Sequence, residues 1–492
     1  MKKLFLALVT VVVVLLAVMA INAARLPAGP SPAPRDGERV EIDETIAAQR
    51  LAGAVRFRTV SYASGAPIDT AAFLGFHEYV RRAFPRVHSA LGREPVNGLS
   101  LLYTWRGSDT TAAPLVLMGH MDVVPVPDEN LKDWQHGPFS GDIADGFVWG
   151  RGTLDDKTTV LAVLEAVEHL VANGYRPKRT VYLCFGHDEE VAGRYGARAI
   201  VDTLVRRGVK PALVIDEGGV LADGNLIGLP GRAAMVGVAE KGYVSLRLTA
   251  RAAGGHSSMP PRRTAVGTLA RAITVLEERP FPYRLTPPVR AMLEAMAPSM
   301  PFGQRMVIGN LWLTAPLVTR GMAASPTAAA MLHTTTAPTI LDAGVKDNVL
   351  PPEASAVVNF RILSGETQES VIARVREVIA DSAVTVEPTD SARMDPTRVS
   401  DPDSPGFQLI AEAIRGMVPG DAVPVLPFLL AGGTDAKYWA PHSTNVYRFL
   451  PIPLGEEDIS RLHGVNERVR AADYATAVGF FVRIIRSTER LQ

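Results

Sequence analysis

The sequence predicts an α/β fold in which a mostly parallel sheet is interrupted by an inserted α+β domain. Three observations lead to this class. Continuous apolar runs, typical of strands covered on both faces, alternate with stretches that have helical periodicity. Near residue 237 the pattern changes to alternating apolar and polar residues, which favours a sheet with one wetter face. The length of 492 residues also exceeds that of one ordinary domain.

The N-terminus, residues 1–24, has the composition of an export or anchoring segment. "MKK" precedes the uncharged apolar stretch 4–24, which is long enough to span a bilayer that needs about 20 residues. "INA" before Ala24 is a small-residue cleavage pattern. A cleaved signal peptide and a retained membrane anchor both stay open. Either predicts export, with the catalytic part periplasmic, extracellular or anchored outside the cytoplasm. A Pro-rich linker is predicted over 25–44.

The first part of the main domain is predicted over residues 45–237. Its strands are apolar runs that end in polar residues. The intervening helix has its apolar residues on a buried face and ends at Gly174. These strands are expected at 114–120, 179–190 and 212–219, with the helix at 157–174.

The inserted α+β domain is predicted over residues 238–388. "VAEKGYVSLRLTARAAGGHSS" and the segment 353–363 alternate as strands do, and 366–381 has the pattern of a helix. The segment 280–345 is rich in Pro, Met and Ala and has no clear assignment. The rest, 389–492, returns to the main domain.

Composition excludes several classes of function. Lys+Arg and Asp+Glu are both 51, so no bulk charge favours nucleic acid as a partner. Cys184 is the single cysteine, which excludes an intrachain disulfide framework and a cysteine-based zinc site. Any metal ion must therefore be held by His, Asp and Glu.

Acidic and imidazole groups stand at the exits of three predicted strands and before the main helix. Because the carboxyl ends of parallel strands share one sheet edge, these groups are expected to converge on one crevice. Any one exit alone would be an ordinary solvated loop. Several carboxylates together with a histidine favour a cation that neutralises them. The groups are His120 and Asp122; Asp155 and Asp156; Asp188, Glu189 and Glu190; and Asp216 and Glu217.

Imidazole and carboxylate donors without thiolate suit Zn²⁺, Mn²⁺ or Co²⁺. Two such ions about 3.5–4 Å apart form a hydrolytic site. One carboxylate must bridge the ions, and another must stay unligated as a general base. The adjacent pair Glu189–Glu190 offers one carboxylate for a metal ion and one for the water.

Seven motifs, in order, resemble the M20 family of metallopeptidases and aminoacylases. They are "HMDVVPV", "W…GPFSG", "GRGTLDDK", "GHDEEVAG", "GGHSSMP", "DNVLPPEA" and "GGTDAKYW". Each motif alone is weak, but their order and spacing match over nearly the whole chain past the linker. The long insert and the apolar N-terminus are most similar to the carboxypeptidase S and N-fatty-acyl-amino-acid synthase/hydrolase branch.

The resemblance implies a role for each residue of the cluster. Asp122 is similar to the carboxylate that orients a metal-bound histidine, and Glu189 to the catalytic base. A cis peptide is implied between Asp155 and Asp156. Glu217 competes with Asp216 as a ligand, and His442 is a rival of the C-terminal histidine. The implied metal ligands are His120, Asp155, Glu190, Asp216 and His463.

The resemblance also implies residues that contact the substrate. His256 is similar to a lid histidine that stabilises an oxyanion, and the alternative is a turn histidine beside Gly254 and Gly255. Arg361 would suit a substrate carboxylate, or it is a surface strand arginine. Asn348, Gly433 and Thr434 are expected to line the substrate site. Asp435 is expected to be structural, and no role is assigned to His136 or His187.

The implied activity is hydrolysis of an amide adjacent to a free carboxylate, by a zinc-dependent carboxypeptidase or aminoacylase with two divalent ions. The substrate is a short peptide or an N-acyl amino acid. The alternative substrate is a fatty-acyl amino acid. The Met-rich segment 291–300 would suit its apolar acyl chain, unless that segment packs in the core of the inserted domain itself. A remote alternative is a non-catalytic binding protein on the same fold. The resemblance also suggests a homodimer formed through the inserted domain.

Overall fold

The computed structural model describes residues 2–26, 40–62, 66–389, 393–418 and 422–491. Most of the predicted Pro-rich linker, residues 27–39, lies outside the described residues. The N-terminal helix is long and apolar enough to cross a membrane, a property that signal sequences share.

The chain up to residue 240 forms the first part of the main domain. Asp43 and Asp69 cap the two helices that follow the linker, each by accepting a backbone N–H with its carboxylate. The elements are α1 (Lys2–Arg25), α2 (Glu44–Val55), α3 (Thr70–Ala83), α4 (Pro85–Ala90), β1 (Gly92–Val96), β2 (Ser100–Trp105), β3 (Leu115–His120), β4 (Ile143–Ala144), β5 (Phe147–Trp149), α5 (Lys157–Ala172), β6 (Val181–Gly186), α6 (Ala197–Arg206), β7 (Leu213–Asp216), β8 (Val220–Asp223) and β9 (Arg232–Glu240).

The next part of the chain contains the inserted domain. It comprises β10 (Gly242–Arg251), β11 (Gly255–His256), α7 (Ala265–Glu278), α8 (Pro287–Met296), α9 (Phe302–Ile308), α10 (Leu311–Met322), α11 (Pro326–Ala330), β12 (Thr335–Ala343), β13 (Val349–Leu350), β14 (Glu353–Ile362), α12 (Gln368–Ile379) and β15 (Val384–Pro388). The chain then returns to the main domain through α13 (Pro405–Met417), β16 (Val425–Leu430), β17 (Val446–Arg448), β18 (Pro453–Leu454), α14 (Glu456–Arg461), β19 (Arg468–Arg470) and α15 (Ala471–Ser487).

The central sheet has the strand order β1-β2-β6-β3-β7-β17-β9-β8-β18, with β16 paired to β9. Its middle strands β6, β3, β7 and β17 run parallel. They are buried along almost their whole length, since helices cover both faces, and this explains their continuous apolar sequences. α5 packs between β3 and the helices α2 and α15 and is buried on nearly every side. This architecture confirms the predicted α/β class.

The inserted domain is built on a separate antiparallel sheet of order β12-β14-β10-β15, covered by α7 and α12. Its first strand begins at Gly242, whereas β9, which contains residue 238, belongs to the central sheet. A short two-stranded ribbon of β11 and β13 projects from the domain. His256 lies on this ribbon, and Asn348 directly precedes β13.

The segment that the sequence left unassigned, 280–345, contains the helices α8 to α11 as well as β12. α8 packs against β16 of the central sheet rather than against the core of the inserted domain. Met292 and Met296 are buried there with Leu426 and Leu429. Methionine is flexible and fills irregular gaps, which suits the junction between two domains.

Candidate active site

The strand ends of the parallel sheet bring the predicted donor groups together. The Nε2 atom of His120 lies 2.9 Å from Oδ1 of Asp155. The Nε2 atom of His463 lies 3.0 Å from the other oxygen of Asp155 and 3.4 Å from Oε2 of Glu190. His120, Asp155 and Glu190 offer donor atoms that all lie within 4.8 Å of one another. Asp155 thus presents one carboxylate oxygen to each of two histidines.

Asp122 connects the histidine to the loop that follows β6. It is fully buried, and its Oδ1 lies 3.3 Å from Nδ1 of His120. Its two oxygens also accept the backbone N–H groups of Glu189, at 3.1 Å, and Glu190, at 3.2 Å. Burial raises the pKa of Asp122, but the contact with His120 brings it below its ordinary value. An ionised Asp122 therefore orients the imidazole and the two glutamates at once.

The tautomer of His120 is determined by its surroundings. Nδ1 lies 3.0 Å from the backbone oxygen of Asp122, which can only accept, so this nitrogen carries a hydrogen. Burial lowers the pKa of His120, but Asp122 and Asp155 together raise it well above its ordinary value. Without a cation, a proton on Nε2 of His120 balances the negative charge of the Asp155 carboxylate. In the neutral ring, Nε2 is free to bind a metal ion.

The electrostatics of the cluster fit a divalent ion. Burial raises the pKa of Glu190, and its Oε1 is buried without a hydrogen-bond partner. Burial also raises the pKa of Asp155, but His120 and His463 hold it well below its ordinary value. Carboxylates this close would repel each other if they were all ionised, and a cation removes that cost. The imidazole and carboxylate donors suit zinc, manganese or cobalt.

Glu189 lies beside the donor group with 13% of its side chain exposed, and it is not a member of that closely spaced group. Burial raises its pKa to about 8, with the neighbouring Glu190 and Asp155 acting in the same direction. The Nζ atom of Lys437 lies 3.8 Å from Oε1 of Glu189 and opposes that shift. Although burial lowers the pKa of Lys437, Glu189 and Asp435 raise it above its ordinary value. Sequence reasoning did not identify Lys437, which belongs to the quoted motif "GGTDAKYW" but carries no distinctive spacing.

The two carboxylates at the end of β7 have different surroundings. Asp216 is buried, and its Oδ2 accepts the backbone N–H of Ala436 at 2.6 Å. The structure does not bring Asp216 into the group of closely spaced donors. Burial raises the pKa of Glu217 well above its ordinary value, and among charges the strongest contribution comes from Asp155. Glu217 is also outside the group of closely spaced donors, although its pKa responds to the charge of Asp155.

A buried ion pair that the sequence analysis missed supports the loop before α5. Arg151 donates from Nη1 to Glu467 Oε2 at 2.5 Å. The other oxygen of Glu467 accepts the backbone N–H groups of Gly152 and Leu154, at 2.9 and 2.7 Å. Arg151 also donates to the backbone oxygen of His463 at 3.1 Å. The pair therefore joins the Asp155 loop to the His463 loop. The only signal in the sequence is a glutamate four residues after the C-terminal histidine.

The peptide bond between Asp155 and Asp156 is cis, as the resemblance implies. Asp156 is buried, and its Oδ2 accepts the backbone N–H of His120 at 3.3 Å. Adjacent aspartates thus face different partners, because Asp155 meets the two histidines and Asp156 holds the end of β3.

Thr434 and Gly433 lie beside a buried ion pair. Thr434 Oγ1 donates to Glu240 Oε1 at 2.9 Å, and Arg448 Nε donates to the same oxygen at 2.7 Å. Gly433 is exposed, and a β-carbon there would lie 3.6 Å from Glu240 Oε2. Asp435 is buried against Gly186 and Gly193, where a β-carbon would meet its carboxylate.

The substrate-contact candidates of the inserted domain form contacts within that domain. His256 is exposed on the β11–β13 ribbon, with Nδ1 2.7 Å from Ser258 Oγ. The backbone oxygen of Asn348, also exposed, accepts the N–H of Ser257 at 3.2 Å. Arg361 lies on β14, where its guanidinium stacks 4.8 Å from the ring centre of Tyr243. Burial lowers the pKa of Arg361.

The other histidines have ordinary partners. His442 is exposed in a turn, and His136 lies 3.0 Å from Asp142 Oδ2. His187 is buried, with Nδ1 2.6 Å from Ser100 Oγ. His463 rather than His442 is therefore the C-terminal histidine at the cluster.

Comparisons with known proteins agree with the motifs. The family described as Peptidase family M20/M25/M40 matches residues 116–487. The N-fatty-acyl-amino acid synthase/hydrolase PM20D1 of Xenopus tropicalis is 38% identical, covering 97% of this chain and 93% of its own. The probable carboxypeptidase S-like 2 of Dictyostelium discoideum is 38% identical, covering 90% of this chain and 85% of its own.

Solved structures share the fold. The M20 family metallo-carboxypeptidase Sso-CP2 of Sulfolobus solfataricus has a TM-score of 0.66 at 18% identity, over 91% of this chain and 99% of its own. Human carnosine dipeptidase 1 has a TM-score of 0.60 at 16% identity, over 91% and 97%. With a sheet edge that gathers histidines and carboxylates, and with relatives matched over nearly its whole length, this chain belongs to the M20/M25/M40 family of metal-dependent peptidases and hydrolases.

Proposed function

We propose that this M20 hydrolase uses two divalent ions to cleave an amide next to a free carboxylate, in N-acyl amino acids or short peptides. The observation that carries the proposal is the placement of Asp155. One of its oxygens faces His120 and the other faces His463, while an unligated Glu189 stands beside them. A carboxylate shared between two donor sets is what a pair of ions requires.

The donors divide into two sets around Asp155. His120 would hold one ion, and His463 with Glu190 would hold the other. Zinc is the metal that we propose, with cobalt and manganese as substitutes for the same donors. Bound ions of this kind polarise a carbonyl and activate water. The test is metal analysis of the purified protein, followed by chelation and restoration of activity with each metal in turn. A fully active protein without metal would contradict the proposal.

At the end of β7 we propose Glu217, rather than Asp216, as the remaining ligand. Asp216 already accepts the N–H of Ala436, whereas Glu217 interacts with Asp155. Glu217→Gln is expected to lower the bound metal from two ions to about one per chain and to abolish most activity. Asp216→Asn is the matched control and should keep both ions. Inductively coupled plasma mass spectrometry of both variants measures the difference, and loss of metal in Asp216→Asn alone would reverse the assignment.

Glu189 acts as the general base. It takes a proton from the attacking water and delivers it to the nitrogen of the leaving amine. Positive charge from bound cations would lower its pKa from the raised value that burial imposes, so that the ionised form prevails at neutral pH. Asp122 holds the backbone of Glu189 and thereby positions the base.

Residues of the inserted domain complete the site in this proposal. His256 would stabilise the oxyanion once the β11–β13 ribbon closes over the substrate, with Asn348 beside it. Arg361 would bind the substrate carboxylate, because a guanidinium pairs with a carboxylate through two hydrogen bonds. Gly433 and Thr434 would shape the pocket for that carboxylate. The exposure of His256 and Asn348 supports a ribbon that is free to meet the substrate.

The acyl half of the substrate separates two versions of the proposal. Relatives at 38% identity include an N-fatty-acyl-amino acid synthase/hydrolase, which favours a long acyl chain. The burial of Met292 and Met296 against β16 gives that chain no pocket within 291–300. From the similarity to that relative, we expect a panel of N-acyl amino acids to show kcat/KM rising at least tenfold from acetyl to long acyl chains, with the chain bound outside 291–300. Dipeptides serve as the reference substrates. If kcat/KM does not change with acyl length, the result would favour a peptidase that acts on short peptides.

A homodimer through the inserted domain is also proposed. β12 is an edge strand of its sheet and exposes Ile340 and Leu341 to solvent. Exposed apolar edge strands favour pairing with another chain. Sedimentation velocity on the detergent-solubilised protein tests this, and a monomer at all concentrations would exclude it.

A further inference from the structure

The apolar helix α1 has a specific contact surface on the rest of the protein. Its first residues, 2–14, are exposed. Towards its C-terminal end the less exposed residues cluster on one side of the helix, namely Leu15, Met19, Ala20, Asn22 and Ala23, with Leu26 following the helix. That face contacts α9 of the inserted segment.

The contact is held by polar groups as well as by packing. Asn22 Nδ2 donates to Asn310 Oδ1 at 2.8 Å, and Asn310 Nδ2 donates to the backbone oxygen of Met19 at 3.1 Å. Arg305 donates to the backbone oxygen of Ala23 at 3.1 Å. Asn310 is fully buried with α1 in place, and loss of α1 would remove its contacts with Asn22 and Met19 and leave those with Met306 and Trp312. A segment that is cleaved during export needs no such partners in the folded protein.

An apolar surface adjoins this contact. The same oxygen of Asn310 that accepts Asn22 also accepts Trp312 Nε1, at 3.2 Å. The indole of Trp312 therefore lies beside the base of α1, yet 65% of this residue is exposed. Phe302 and Leu313 are also exposed, as is Leu317 at 64%.

The charge of the segment suits a lipid surface. Residues 295–341 contain no Asp or Glu but include Arg305 and Arg320. Tryptophan is enriched at membrane–water interfaces, and basic residues attract anionic headgroups. The surface continues directly from a helix that is long and apolar enough to cross a bilayer.

We infer that α1 is a retained membrane anchor and that α9 and α10 lie on the bilayer where it emerges. The occupant of the exposed apolar surface is the lipid interface itself. Phe302, Trp312 and Leu317 enter the headgroup region, and Lys2 and Lys3 at the far end of α1 stay in the cytoplasm. The inference is independent of the proposed activity, because it uses no residue of the metal cluster.

Trp312 provides an intrinsic depth reporter, because the other four tryptophans, Trp105, Trp134, Trp149 and Trp439, are buried. The full chain is reconstituted into phosphatidylcholine vesicles that contain lipid brominated near the headgroup. We expect a partial loss of tryptophan emission that disappears in Trp312→Phe, while flotation shows that both proteins stay with the vesicles. Intact mass of the protein isolated from its membrane should include residues 1–25.

A second probe separates contact with lipid from contact with another copy. Cys184 is the single cysteine and is buried, so Leu317→Cys and Val266→Cys can be labelled selectively with an environment-sensitive dye. Val266 is an exposed residue on α7 and serves as the control. We expect a blue shift on vesicle binding at position 317 only. Two results would overturn the inference. One is a mature mass that lacks the first 24 residues. The other is a fluorescence response of Trp312 and of position 317 to protein concentration but not to vesicles.

Discussion

Replacement of Glu189 by Gln is expected to lower kcat for amide hydrolysis by about 100- to 10,000-fold, the usual contribution of a general base. Gln keeps the size of the side chain but cannot take a proton from water. Because Glu189 is outside the group of closely spaced donor atoms, the bound metal should stay unchanged. The measurement is steady-state kinetics on an N-acyl amino acid, with metal content determined on the same samples.

The adjacent glutamate is the matched control for that experiment. Glu190→Gln should lose activity together with metal, because Glu190 lies 3.4 Å from His463 and is proposed as a ligand. Two variants that share burial and backbone position are thus expected to differ in metal content. Full activity in Glu189→Gln would exclude the role of Glu189 as the general base. Loss of metal in Glu189→Gln would show that Glu189 is a metal ligand instead.

Removal of Glu467 is expected to cost about 3–5 kcal/mol of unfolding free energy, because Arg151 would remain buried without its partner. The exposed fractions of the two side chains are 0% for Glu467 and 2% for Arg151. Glu467→Ala would also release the backbone N–H groups of Gly152 and Leu154. Since these precede Asp155, weaker metal binding should accompany the loss of stability. Urea titration and a competitive chelator assay measure the two effects.

An exposed ion pair gives the contrast for Glu467→Ala. Glu94 and Arg207 lie 2.7 Å apart, and 46% of each side chain is exposed. Glu94→Ala should change stability little, because water and salt already weaken that attraction. If Glu467→Ala were as stable as Glu94→Ala, the buried pair would not hold the two loops together. If it were destabilised with normal metal affinity, its role would be confined to folding.

Much of the fold could be predicted because its signals are local. The apolar strands of the central sheet and the helix α5 have periodicities that reflect burial on both faces, and the structure has them close to the expected positions. The segment 280–345 gave no such signal. Its helix α8 packs against β16 and its helix α9 against α1, both far away in the chain, so their pattern follows neighbours that the local sequence does not contain.

The candidate site divides in the same way. His120, Asp122, Glu189 and Glu190 follow apolar strands, so their place at one sheet edge follows from parallel pairing. The choice between Asp216 and Glu217 did not follow, because adjacent residues leave a strand end on opposite sides. The proposed choice of Glu217 depends on the contact of Asp216 with Ala436, from a segment much later in the chain, and on the effect of Asp155 on Glu217.

The sequence by itself determined the fold class, the family and the residue types of the metal cluster, because apolar periodicity and closely spaced motifs are properties of short segments. The tertiary structure alone decided how distant segments support that cluster. Glu467 with Arg151, and Lys437 beside Glu189, act across separations that no local pattern reports. The contact between Asn22 and Asn310 likewise exists only in the folded chain. Buried polar groups need partners, and folding brings those partners from anywhere in the sequence.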